Sequence, residues 1–165
     1  MAKKKAKPAP AAVTATAQPG RGQIIALVAM ALIALAGLAD ATYLTVAHLA
    51  GDNSVCGPSA GCSQVLGSSY AAVGEIPTAA FGVLAYFTAF ACAICAAFGY
   101  RRARAVLNIT VALMLLATLW FLYLQAFVLH AFCPFCLLSA ALTFLLAGLA
   151  LVIPSDRSFN PGKSS

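Results

Sequence analysis

Four apolar runs, each long enough to cross a bilayer, constrain this chain more than any motif within it. Ile24 to Leu49 is apolar apart from Asp40 and a few small polar residues. At about 1.5 Å of rise per residue, a helix of that length exceeds the roughly 30 Å hydrocarbon core. Three more runs follow: Pro77 to Phe98, about Ala105 to Leu129, and about Cys133 to Ile153. Pro77 suits a first helical turn, where its missing N–H costs nothing, and Pro154 stops the last helix. With 62% hydrophobic and only 8% charged residues, the chain lies outside the soluble globular class. The expected fold is an all-α integral membrane protein, a four-transmembrane-helix bundle with spans at about 24–49, 77–98, 105–129 and 133–153.

Charge orients the spans. The net charge of +6 does not point to nucleic acid, because the basic residues flank apolar runs instead of forming an aromatic-interleaved surface. Lys3, Lys4, Lys5, Lys7 and Arg21 precede span one. Arg101, Arg102 and Arg104 separate spans two and three, and Arg157 and Lys163 follow span four. All ten basic residues thus fall on one side, while the 51–76 loop and the 130–132 turn carry Asp52 and Glu75 and no Lys or Arg. The positive-inside rule then predicts a multi-pass plasma-membrane protein with both termini in the cytoplasm. Residues 1–23 read as a disordered basic cytoplasmic tail without a cleavable signal layout, and 154–165 as a second tail.

Six cysteines form three pairs that depth separates. Cys92 and Cys95 share the C-x-x-C spacing of Cys133 and Cys136. They lie roughly 22 and 27 Å down span two, however, near its cytoplasmic end, and read as small packing residues. Cys133 opens span four at the outer face with Pro134 behind it, and a helix N-terminus favours the reactive thiolate. Cys136, one turn on, shares its face and sits deeper, within reach of a lipophilic partner. Cys56 and Cys62 lie in the outer loop, in a Gly- and Pro-containing stretch that permits a disulfide between them. From Cys62 to Tyr70, Val65, Leu66 and Ser69 fall on one side at helical spacing, which predicts a short surface helix lidding the helix ends.

Cys56-x5-Cys62-Ser63-x4-Ser68, then Gly74-Glu75-Ile76-Pro77-x3-Phe81-Gly82-x3-Tyr86, and Cys133-Pro-Phe-Cys136 opening the last span, together resemble the vitamin K epoxide reductase family in its bacterial branch. The resemblance covers about Ile24 to Ile153. It implies a four-helix bundle around a quinone of menaquinone, ubiquinone or vitamin K type, with an outer loop and a surface half-helix capping the quinone site. It implies that Cys56 and Cys62 are a shuttle pair taking electrons from a reduced thiol protein, with Cys56 facing that partner and Cys62 passing electrons to Cys133. Cys136 would be the thiol nearest the quinone, while Ser68, Thr78, Phe81 and Tyr86 would frame the quinone pocket. Vertebrate members carry an Asn and a Tyr where this chain has Thr78 and Ala140, so simple quinone reduction is expected in place of epoxide reduction. Many bacterial members continue into a fused thioredoxin-like domain; here the chain stops at Ser165, so the expected partner is a separate thioredoxin-like or DsbA-like exported protein.

Two other classes compete: a four-span structural or adaptor protein whose outer disulfides only hold its shape, and an electron conduit using Cys92 and Cys95. A four-cysteine zinc site has the ligand type without the usual zinc-ribbon spacing, so no metal is expected. Asp40, about 13 Å from the outer end of span one, is either a functional group or a neutral acid hydrogen-bonded to neighbours such as Thr42 or Tyr43. His48 and His130 stand at outer helix ends.

Overall fold

The computed structural model describes residues 20–51, 60–68, 70–73 and 76–152. Four helices are long and apolar enough to cross a membrane. They are α1 (Arg21–Ala50), α3 (Thr78–Ala97), α4 (Arg101–Tyr123), which continues into a π-helical turn at Leu124–Val128, and α5 (Pro134–Val152). Between α1 and α3 lie a short helix, α2 (Ala60–Leu66), and a two-stranded antiparallel ribbon of β1 (Ala72–Val73) and β2 (Ile76–Pro77), with Ala72 opposite Pro77 and Val73 opposite Ile76.

The helices form a ring in which α1 packs on α3 and α5, and α4 packs on the same two. Small residues make the closest seam. A Cβ at Gly37 of α1 would fall inside the Tyr86 ring of α3, and one at Gly82 would touch Ala41. Such contacts drive association in lipid, where large apolar side chains gain nothing by leaving the hydrocarbon. Accordingly Leu32, Val46, Leu84, Leu116 and Leu151 stay exposed on the outside of the ring. Four apolar helices with that outward surface make this a multi-pass membrane protein.

The two halves of the bundle differ. At the end that carries Arg101 and Arg104, the interior is filled by Leu27, Met30, Ala34, Ala93, Leu107, Val111 and Leu146. Arg104 there donates to the Gln23 side chain at 3.4 Å. At the opposite, cysteine end the interior is hollow. Chain reversals at this end are tight: α1 stops at Gly51, whose φ of 64° lets its N–H turn back to Ala47 and His48 carbonyls.

Several boundaries move from those read in the sequence. α1 starts at Arg21, inside the segment whose sequence reads as tail, and α4 starts at Arg101 instead of Ala105. Arginine is a good helix former, and its stem runs along the helix while the charge reaches water. Pro77 is not in the first helical turn: it is extended (φ −61°, ψ 135°), belongs to β2 and caps α3. The Thr78 N–H goes instead to the Ala71 carbonyl at 2.8 Å, which fastens the ribbon to the helix. α2 covers Ala60–Leu66 and does not run on to Tyr70, because the chain turns at Gly67, whose N–H closes on the Ser63 carbonyl at 2.9 Å. Both expected tails fall mainly outside the described residues, as do Cys56 and Ser69.

Candidate functional site

Cys62 and Cys133 are both 0% exposed and pack in one cluster with Val65, Phe135 and Cys136. Cys62 is disulfide-bonded, its partner lying outside the described residues, whereas Cys133 and Cys136 are free thiols. Residues seventy positions apart in sequence therefore set a disulfide sulfur beside a thiol, shielded from solvent.

Three local features place Cys62. Gly61 lets the α2 backbone approach the chain before α5 so closely that a Cβ there would stand 2.7 Å from the Phe132 carbonyl oxygen. The Gln64 side-chain amide donates to the Leu129 carbonyl at 3.2 Å. Val65 fills the space beside the two sulfurs.

Cys133 is placed by the end of α4. Widening of the last turn into a π-helix shifts the ladder by one residue, so that the Leu129 N–H reaches the Leu124 carbonyl at 2.8 Å. Gln125, only 2% exposed, then holds the connecting segment twice. Its carbonyl accepts from the Ala131 N–H at 3.1 Å, and its side-chain oxygen accepts from the Cys133 N–H at 3.0 Å. Between them His130 takes a left-handed conformation, φ 48°, that reverses the chain. The Cys133 carbonyl accepts the first helical bond of α5, from Leu137 at 3.0 Å, so Cys133 is the residue that caps this helix, with Pro134 as its first helical residue. The Cys133 thiol is lowered from 9.0 to about 7, first by a hydrogen bond from the Cys136 side chain and further by the Cys136 and Phe135 backbone N–H groups. Burial and the nearby Asp40 carboxyl work against this without reversing it. A lowered thiol at the start of a helix favours the nucleophilic thiolate form.

Cys136 faces a different space. A cavity of about 600 Å³ occupies the hollow half of the bundle, and Cys136 lines it while Cys62 and Cys133 do not. All four residues expected to frame a quinone line it too: Ser68 from the turn after α2, and Thr78, Phe81 and Tyr86 from α3. Along α4 the lining runs from Thr110 to Gln125 and on to Leu129, roughly 28 Å of helix. Ala140 opens the α5 wall. Volume and an almost wholly apolar lining fit a quinone ring with part of a hydrocarbon tail.

The polar groups of this wall are largely committed to each other. The Ser68 hydroxyl donates to the Val65 carbonyl at 2.7 Å, and the Thr78 hydroxyl to the Tyr70 carbonyl at 3.0 Å. The Tyr86 hydroxyl is shared among the Ser139 carbonyl and hydroxyl, both at 2.9 Å, and the Thr143 hydroxyl at 3.1 Å. Asp40 differs from these, since its buried Oδ2 has no hydrogen-bond partner among the described residues. The expected neighbours do not reach it: the Thr42 hydroxyl donates to the Leu38 carbonyl, and the Tyr43 ring lies against Phe135 at 5.7 Å.

The remaining candidates lie elsewhere. Cys92 is half-buried against the core, but Cys95 is exposed on the outer surface of α3 and does not pack inside the bundle; both are far down α3 from the cavity. His48 lines the cavity, and His130 is exposed in the connection. Trp120, Tyr123 and Phe127 stack along the outside of α4, at 6.0 and 5.1 Å, as interfacial aromatics. Gln125 and Gly61 drew no attention in the sequence, since an isolated Gln in an apolar run and one Gly in a loop carry no motif.

No curated protein matches the chain. The profile of the vitamin K epoxide reductase family matches residues 28–151, and the family couples thiol–disulfide chemistry in the membrane to a quinone. That match covers every described cysteine, the cavity and all four long helices: the chain belongs to the vitamin K epoxide reductase family.

Proposed function

We propose that the protein is a membrane disulfide:quinone oxidoreductase that oxidises a separate thioredoxin-like or DsbA-like exported protein and so supports disulfide formation in exported proteins. The observation that carries this reading is the division of the inner cysteines: Cys133 is buried against disulfide-bonded Cys62, and Cys136 lines the cavity. The charge pattern supports an orientation with both termini in the cytoplasm and the cysteine end outside.

A thiolate of the reduced partner attacks the Cys56–Cys62 disulfide at Cys56, and Cys62 leaves as a thiolate. The partner's second thiol then releases Cys56, and the partner departs with its own disulfide. The Cys62 thiolate attacks Cys133 of a Cys133–Cys136 disulfide, with Cys136 as leaving group. Cys56 resolves the Cys62–Cys133 bridge by attacking Cys62, which re-forms the outer disulfide and leaves Cys133 and Cys136 reduced. Closure of the Cys133–Cys136 disulfide releases two electrons and two protons at the cavity wall. A bound quinone supplies the two-electron, two-proton acceptor chemistry. Ser68, Thr78, Phe81 and Tyr86 shape its pocket, and the apolar lining excludes water from the exchange.

Purified protein mixed with a short-chain quinone and a reduced thioredoxin-like protein should form quinol, and Cys136→Ala should abolish it. Mass spectrometry of Cys56→Ala should reveal a Cys62–Cys133 bridge, since Cys56 is then missing as the thiol that resolves it forward. Quinol formation that survives Cys136→Ala would refute the assignment.

A further inference from the structure

Resting on that proposed function, we infer that Asp40 is a catalytic residue of the quinone half-reaction, a neutral carboxylic acid that donates a hydrogen bond to a quinone oxygen and passes it a proton. Among the described residues Asp40 is the one acidic residue of the cavity wall, about 15 Å from the end of α1. Its Oδ2 is buried and has no hydrogen-bond partner among them. A buried carboxyl oxygen left unpaired is costly, and natural proteins leave few. Here the residue that carries the unpaired atom lines a space shaped for a ligand.

The surroundings decide its form. Among the described residues, the titratable groups that share this wall with Asp40 are His48 of α1, two turns nearer the mouth, Tyr70 before β1, Tyr86 of α3 and Cys136 of α5; α4 contributes none, and no Lys or Arg lines it. An ionised carboxylate would therefore sit uncompensated in apolar surroundings, which disfavours it. The protonated acid, by contrast, offers the wall an O–H far more acidic than the Tyr70, Thr110 and Thr118 hydroxyls that also line it. Ser68 and Thr78 have already given their protons to backbone carbonyls, and Tyr86 is engaged with Ser139 and Thr143.

Proton bookkeeping closes without another reactant. As the Cys133–Cys136 disulfide forms, two electrons pass to the quinone and both thiol protons are released. Asp40 gives its proton to one quinone oxygen and recovers one from the thiol pair, to which it is close enough to act on Cys133 electrostatically. The second thiol proton completes the quinol, and Asp40 ends as it began.

Asp40→Asn keeps the shape and a hydrogen-bond donor but cannot transfer a proton. Asp40→Leu removes both. Binding of a short-chain ubiquinone is read by quenching of the single tryptophan, Trp120. It should stay within about threefold of wild type in Asp40→Asn and weaken about threefold to tenfold in Asp40→Leu. Quinol formation should fall about a hundredfold in both. Exchange between the reduced thioredoxin-like protein and the cysteine pairs, measured without quinone, should be unchanged in both. In difference infrared spectra, ubiquinone binding should shift a protonated-carboxyl band that Asp40→Asn lacks. Wild-type quinol formation by Asp40→Asn, or no carboxyl band responding to ubiquinone, overturns the inference. Failure of the wild-type protein itself to reduce quinone overturns instead the function on which it rests.

Discussion

The side-chain oxygen of Gln125 accepts a hydrogen bond from the backbone N–H of Cys133 at 3.0 Å, joining the end of α4 to the start of α5. A buried amide thus fixes the cysteine through its main chain and leaves the sulfur free to react. Gln125→Leu should strand the Cys133 N–H without a partner, at a cost of ~1–3 kcal/mol. A lower thermal midpoint and slower Cys62–Cys133 exchange are expected, with ubiquinone binding still detectable by Trp120 quenching. Unchanged exchange would mean that the bond does not position the thiol.

Gly61 tests the approach of α2. A methyl group there meets the Phe132 carbonyl at 2.7 Å, too close for any real side chain. In Gly61→Ala the short helix has to back away from Cys133. The yield of the Cys62–Cys133 bridge in a Cys56→Ala background should drop severalfold, measured by mass spectrometry under matched oxidation.

Cys133 predicts a pH profile. Because its thiol is lowered to about 7, alkylation of the reduced protein at Cys133 should rise with a midpoint near pH 7. In Cys136→Ala the midpoint should move up towards the ordinary value, because the largest lowering influence is the Cys136 hydrogen bond. Stability of the reduced protein follows the same linkage. Between about pH 7 and 9 the unfolded chain holds more protons at this site than the folded one, so this contribution grows as pH rises and is lost as pH falls through about 7.

Ala140 sets the width of the cavity on the α5 side. Ala140→Phe should push a ring into space that a quinone needs, with a penalty of ~1–3 kcal/mol, roughly fivefold to 150-fold in affinity. The proposed thiol exchange between Cys62 and Cys133, which do not line the cavity, should keep its wild-type rate in stopped-flow assays without quinone.

The hydrophobic length of four runs and the placement of ten basic residues were sufficient to read a four-span membrane bundle, because lipid leaves the backbone no other option than helix at that length. The unlike surroundings of Cys92/Cys95 and Cys133/Cys136 were legible from depth, although the exposure of Cys95 on the outer face was not. Helix ends shifted by a few residues wherever polar residues such as Arg101 prolong a helix or a tertiary bond such as Thr78 N–H to Ala71 shortens it.

Local hydrophobicity and charge were thus enough for the class of fold, the approximate spans and the cysteines that share one end, and the motif resemblance for the expected roles of Cys62, Cys133 and Cys136. Only the packed structure brought out how Gly61 and Gln125 hold Cys62 and Cys133 together, and that the Asp40 Oδ2 is left unpaired beside the cavity. The physical reason is that spans are set by local hydrophobicity, which every residue announces for itself. A close approach, a buried amide bond or an unpaired carboxyl oxygen exists only once segments distant in the chain are packed against one another.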